Sequence, residues 1–181
     1  FDGGSAVKEE VESIGAKFIE VEGAKESEEQ EGYAVEQNED YQQKQRQLIH
    51  DHAVKSDVII STAQIPGKKA PVLIQENTVK NMKPGSVIMD LASASGGNCE
   101  LSEYNQVITK HGVKIIGKSD YPSDTSLDAS RMYGNNLNNY LKLLINEEGE
   151  FDVDLNDEIV KKTCLTCKGE VNDPRLKTMK T

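Results

Sequence analysis

Short runs of β-branched residues alternate with longer stretches of helical periodicity, the arrangement that parallel βαβ units produce. Val7, Val11 and Ile14 recur at i, i+4 and i+7, which predicts a helix that Gly15 stops. Lys17–Val21 then reads as a strand, Glu39–Lys55 as a polar helix with little apolar face, and Val58–Ser61 as a buried strand, from its continuous apolar run. The loop Ile65–Pro71 (IPGKKAP) follows, then a helix over Ile74–Met82 that Pro84-Gly85 ends. Val87–Leu91 is the next strand, running into Ser93–Gly97, and Val113–Ile116 the one after. Leu137, Tyr140, Leu141, Leu144 and Ile145 form an amphipathic stripe over Ser130–Asn146, and Asp154–Lys162 reads as a shorter helix before a polar tail. The pattern predicts an α/β fold.

Composition narrows the partners. The chain has 181 residues, with 21 Lys plus Arg against 31 Asp plus Glu, a net charge of −10. That excess repels phosphate at long range, which disfavours nucleic acid and anionic membrane surfaces. The charge is uneven: residues 1–50 hold 13 acidic against 5 basic residues, while residues 51–181 hold 18 against 16. Glu26, Glu28, Glu29 and Glu31 concentrate it in Glu20–Asp40, which reads as a solvated, mobile loop. No apolar run reaches the roughly 18 residues of a spanning helix, so direct membrane insertion is not expected, and no basic-apolar leader is visible at Phe1. Cys99, Cys164 and Cys167 do not form a disulfide framework, which suits a reducing compartment.

In an open parallel sheet, ligands bind beyond the carboxyl ends of the strands. Three segments stand at such ends. Phe1-Asp2-Gly3-Gly4 places an acid before a glycine pair and a helix; an acid there can accept hydrogen bonds from an adenosine ribose and repel a 2′-phosphate, and the same residues also make an ordinary turn and helix cap. Pro66-Gly67 follows a strand, and Ser93–Asn98 contains Gly96-Gly97, which lets backbone approach a ligand. Cys164-Leu165-Thr166-Cys167 has CxxC spacing, but no second pair completes a zinc set. His50, His52 and His111 lack the i, i+4 spacing of a shared helical metal face. Cys99 lacks an assignable base and reads as a small buried residue, and Lys68-Lys69 as solvated loop lysines.

The runs Asp57–Pro71 (DVIISTAQIPGKKAP) and Met82–Glu100 (MKPGSVIMDLASASGGNCE), with Gly32-Tyr33-Ala34 and Tyr133-Gly134-Asn135-Asn136-Leu137, resemble the NAD(H)-binding component of proton-translocating nicotinamide nucleotide transhydrogenase in order and spacing. Alanine dehydrogenase shares that superfamily. The resemblance implies a Rossmann-like parallel sheet with flanking helices over residues 1–129, and a helical segment over residues 130–181 that returns to another domain. Position by position, it implies Asp2 as the ribose-binding acid with Gly3 and Gly4 beside the adenosine, where the family usually has Arg at the position of Gly4. Gly32 and Tyr33 correspond to the tip of a loop that closes over nucleotide, and Ala63 and Gln64 flank the cofactor, although the family more often has Leu at Gln64. Asp90 is shared, as a structural hydrogen-bond partner or a ligand contact.

The implied cofactor is NAD, and the implied activity is hydride transfer between NADH and NADP, coupled to proton translocation through an NADP-binding domain and a membrane domain. Such a reaction needs two rings held in contact and no general acid or base. The resemblance also implies a homodimer, attached to a membrane through its partner domains on the cytoplasmic or mitochondrial matrix side. Because no glycine-rich first turn precedes Asp2, the chain is expected to be a fragment whose sheet lacks its first strand. Two other readings stay open: an amino-acid dehydrogenase, disfavoured because Ala94 stands where those enzymes carry Asp, and a non-catalytic remnant serving as an interaction domain.

Overall fold

The computed structural model describes residues 8–21, 39–65, 67–173 and 176. Helix α1 (Lys8–Ser13) ends where Gly15 and Ala16 donate back to the carbonyls of Glu12 and Val11. The predicted apolar stripe is not buried, since Ile14 is 81% exposed. Lys17–Val21 is not a strand: it has no ladder partner among the described residues, and β-propensity without a neighbour makes only an extended segment. The predicted acidic loop lies largely outside the described residues.

The chain divides into two compact units, Phe1–Tyr121 and Pro122–Thr181. In the first, α2 (Glu39–Ala53), β1 (Val58–Ser61), α3 (Glu76–Asn81), β2 (Val87–Asp90), β3 (Val107–Lys110) and β4 (Val113–Ile116) follow in order. The sheet runs β1-β2-β4-β3. β1 and β2 pair in parallel from Val58↔Val87 to Ser61↔Asp90, and β2 and β4 in parallel from Val87↔Lys114 to Met89↔Ile116. α3 forms the crossover between β1 and β2, stopped before Pro84 as the sequence predicts.

One strand was not anticipated. β3 pairs antiparallel with β4 through a two-residue turn, His111-Gly112, whose φ angles are +52° and +80°. Two positive φ values define the hairpin turn that matches strand twist. The sheet is therefore parallel over three strands with an antiparallel edge, a common arrangement in doubly wound folds.

Ile74, Val79, Met82, Ile88, Cys99, Val113 and Ile115 form the core, with Ile49, Ile59, Leu73, Leu101 and Ile108 packed against it. Central strand β2 buries Ile88 and Asp90, and β4 buries Val113 and Ile115. β1 departs from expectation. Ile59 meets the core and Ser61 is buried, but Val58 and Ile60 are 61% and 63% exposed. Successive side chains of a strand face opposite ways, so an edge strand covered on one face buries only alternate residues.

In the second unit, α4 (Tyr121–Asp124) leads into α5 (Ser126–Lys142), which begins four residues before the predicted start. Its stripe exists but is uncovered among the described residues: Leu137 and Leu141 are exposed. Ile145 bridges Phe151 across a turn, and α6 (Glu158–Thr163) is capped by the Asp157 carboxylate accepting from Val160 N–H at 2.9 Å. Val160 is fully buried, and the Thr163 hydroxyl meets the Tyr140 hydroxyl at 2.9 Å, tying α6 to α5. The predicted polar tail instead contains a hairpin, β5 (Thr166–Cys167) with β6 (Glu170–Val171). No helix among the described residues is long and apolar enough to cross a membrane.

Candidate functional site

The carboxyl ends of β1 and β2 lie side by side, because Ser61 and Asp90 are register partners. The segments leaving them, 62–73 and 91–98, form one hydrogen-bonded assembly organised by two buried polar side chains. Asp90 is fully buried. Its Oδ2 accepts from the N–H groups of Asn98 and Cys99 at 2.8 and 2.9 Å and from the Ser102 hydroxyl at 2.6 Å, and its Oδ1 accepts from Ala92 N–H at 3.1 Å. Hydrogen bonds to a charged acceptor are the stronger kind, and four of them hold the turn against the strand end. Asp90 is thus a structural partner, the first of the two roles open to it.

Asn98, also fully buried, carries the assembly across to β1. Its Oδ1 accepts from Ala63 N–H at 2.9 Å, and its Nδ2 donates to the carbonyls of Ala63 and Pro71 at 2.8 Å each. Its own carbonyl accepts from the N–H groups of Leu73 and Ile74 at 2.8 and 2.9 Å. One asparagine therefore replaces a strand for the loop after β1. Gly97 lets it do so: its φ is +81°, and a Cβ there would stand 2.9 Å from the Asp90 Oδ2. The loops also meet through Ala70 N–H on the Ser95 carbonyl at 2.7 Å, while the Ser93 hydroxyl donates to the Gly117 carbonyl just past β4.

Of the residues singled out from sequence, the structure brings two together. Ala63 has both backbone groups engaged by Asn98, so its N–H and C=O are committed to the fold. Gln64 is exposed beside it and donates to the Leu91 carbonyl at 3.3 Å, spanning the two strand ends. Asp2, Gly3, Gly4, Gly32 and Tyr33 lie outside the described residues, as does Pro66. Gly67 has a φ of +72°, and Lys68 N–H donates to the Ile65 carbonyl at 3.1 Å, which makes residues 65–68 a tight turn.

Sequence reasoning missed Ser61. Its hydroxyl is buried at the end of β1 without a hydrogen-bond partner among the described residues. A buried polar atom without a partner marks a place where a further group can be received. Residue type alone could not reveal it, because a serine in an apolar strand is ordinary. Asn98 was visible only as the residue after a glycine pair.

Other candidates resolve into structure. His50 Nδ1 lies 2.9 Å from the Thr78 hydroxyl, and His111 Nε2 lies 3.1 Å from Glu76 Oε1. Lys80 and His111 hold the Glu76 carboxyl below its ordinary range through hydrogen bonds and charge. Cys99 is enclosed in the core, and burial pushes its thiol up. Lys69 is exposed, its stem over Gly96. No group of three or more His, Cys, Asp or Glu able to hold a metal occurs among the described residues.

A parallel sheet with glycine-rich turns at its strand ends defines a Rossmann-like α/β unit. More particularly, the chain belongs to the family described as alanine dehydrogenase/PNT, C-terminal domain, whose sequence pattern matches residues 1–174. It is 47% identical over 175 residues to the first of the polypeptides that make up NAD(P) transhydrogenase subunit alpha in Rhodospirillum rubrum, covering 95% of this chain and 46% of that protein. An alanine dehydrogenase of Staphylococcus epidermidis is 35% identical over 104 residues, 55% of this chain and 28% of that protein. The crystal structure of a transhydrogenase from Sinorhizobium meliloti superposes with a TM-score of 0.70 at 38% identity, over 93% of this chain and 43% of that one. The chain thus spans less than half the length of these relatives.

Proposed function

We propose that this chain is part of the NAD(H)-binding component of a proton-translocating transhydrogenase. The observation that carries the reading is the 47% identity to a transhydrogenase alpha subunit along 95% of the chain, where likeness to the alanine dehydrogenase spans 55%. The site supports it. Ala94, in the position where amino-acid dehydrogenases have an aspartate, is exposed in the turn after β2 and offers no proton. Deamination chemistry calls for positioned proton donors, whereas hydride exchange between two nicotinamides does not.

In this reading residues 1–129 bind nucleotide and residues 130–181 return to a further domain. The strand ends receive NAD, whose nicotinamide supplies the hydride chemistry. Asp2 binds the ribose with Gly3 and Gly4 at the adenosine, Gly32 and Tyr33 close over the nucleotide, and Ala63 and Gln64 flank it. The unpartnered Ser61 hydroxyl fits a polar occupant at the same strand end. Ala63 serves by position, held rigid by Asn98, rather than by its own backbone groups. The protein's contribution is orientation: loops cross-linked at fixed distances keep the reacting ring in one place. An NADP-binding domain and a membrane domain are the partners, a second copy completes a dimer, and membrane attachment runs through those partners on the cytoplasmic or matrix side.

The test is equilibrium titration of the full polypeptide with NADH and NADPH, following nucleotide fluorescence. Tighter NADH binding, weakened by Asp2→Asn, supports the assignment, and equal affinities overturn it. NADH oxidation that depends on pyruvate and ammonia would move the protein to the amino-acid dehydrogenases. Absence of binding to either nucleotide would favour the interaction-domain reading.

A further inference from the structure

Cys164 and Cys167 belong to none of the chemistry above, yet the second unit places them together. Cys164 caps the C-terminal end of α6, the chain bends at Leu165, and Cys167 lies in β5. The thiol of Cys167 is within hydrogen-bonding reach of the Cys164 thiol, which also lies 3.4 Å from the Thr166 carbonyl oxygen. Asn172 fixes the bend from the other arm of the hairpin. Its Nδ2 donates to the carbonyls of Lys161 and Cys164 at 3.2 and 3.0 Å, and its N–H donates to the Leu165 carbonyl at 2.8 Å. Both cysteines are half-buried and reduced, so reagents in solution reach them.

We propose that Cys164 and Cys167 form a reversible dithiol–disulfide pair, a redox-modification site that exchanges with small disulfides of the glutathione class. A bend of four residues brings its ends within about 7 Å, the Cα separation a disulfide spans. Because helix end and hairpin hold the sulfurs near each other, closure of the second bond is intramolecular and outruns attack by a second outside thiol. A metal is the weaker alternative. Two thiolates are half of a structural zinc set, and no third His, Cys, Asp or Glu joins them among the described residues.

The exchange balances without another reactant. One cysteine thiolate attacks a sulfur of oxidised glutathione, forming a mixed disulfide and releasing one glutathione thiolate. The second cysteine, deprotonated, then attacks the protein sulfur of that mixed disulfide. The protein gains one S–S bond and loses two protons and two electrons, and the oxidant leaves as two molecules of reduced glutathione.

The experiment equilibrates the full polypeptide in buffers of varied reduced-to-oxidised glutathione ratio, quenches with acid and alkylates with N-ethylmaleimide. Trypsin cuts after Lys162 and Lys168, so one peptide, Thr163–Lys168, carries both cysteines. The expected result is conversion of that peptide from doubly alkylated to unalkylated and two hydrogens lighter as the ratio becomes oxidising, reversed by excess reduced glutathione. Cys164→Ser should instead accumulate a glutathione adduct on Cys167, which the unaltered protein clears. A peptide that stays doubly alkylated at every ratio overturns the proposal. So does one that carries glutathione on both cysteines, or that is linked to a second chain. None of these readouts requires nucleotide binding, so failure here is separable from failure of the transhydrogenase reading.

Discussion

Replacing Asn98 by alanine tests whether one side chain supports the loop after β1. The substitution deletes three hydrogen bonds, to Ala63 N–H, Ala63 C=O and Pro71 C=O, at a fully buried position. Each bond is worth about 1 kcal/mol net, and a partner left buried without one loses more, so the expected cost is about 3 kcal/mol. The loss falls first on the loop, because the Asn98 backbone bonds to Asp90, Leu73 and Ile74 remain. Amide hydrogen exchange reads it locally. Loss of about 3 kcal/mol accelerates exchange at the Ala63 amide by about two decades where exchange follows the opening equilibrium. Amides of β4 should change far less, and NADH affinity should fall with the loss of loop order. Exchange at Ala63 within about threefold of the parent, under 1 kcal/mol, would refute the reasoning, because the side chain would then be a passenger in a loop held by its backbone.

Asp90→Asn turns one acceptor oxygen into a donor facing N–H groups; it should cost about 3 kcal/mol in urea denaturation, and a cost below about 1 kcal/mol would mean the turn does not need the charge. Glu76→Gln should alter only the pH dependence. The folded Glu76 carboxyl is depressed by Lys80 and His111, so its contribution is complete above the unfolded value and lost as pH falls through the folded one. Urea midpoints of the variant and parent should therefore differ at neutral pH and converge in acid, and a gap that widens in acid would show the sign to be wrong.

The strand and helix pattern, and the stop at Pro84-Gly85, were legible because each is a local consequence of periodicity and backbone restriction. The glycine pair and the strand-end acid were equally readable as residue types. β3 was passed over although Val-Ile-Thr-Lys precedes His111-Gly112, because a search for parallel units does not look for a hairpin at the sheet edge. The hairpin carrying Cys167 was hidden for a similar reason: strands of two residues have no period to detect.

Other features exist only once the chain is folded. Whether Lys17–Val21 is a strand depends on a neighbour, and whether Val58 and Ile60 are covered depends on what packs there. Asp90 is a support rather than a ligand contact because its four donors come from residues 92 to 102 folded back upon it. Asn98 reaches Ala63 across 35 positions of sequence, and the Ser61 hydroxyl is left unpartnered by the enclosure around it. Periodicity and turn chemistry act within a few residues and are written in the sequence by itself. Hydrogen-bond satisfaction and burial act between segments distant along the chain, and only the tertiary structure settles which groups meet.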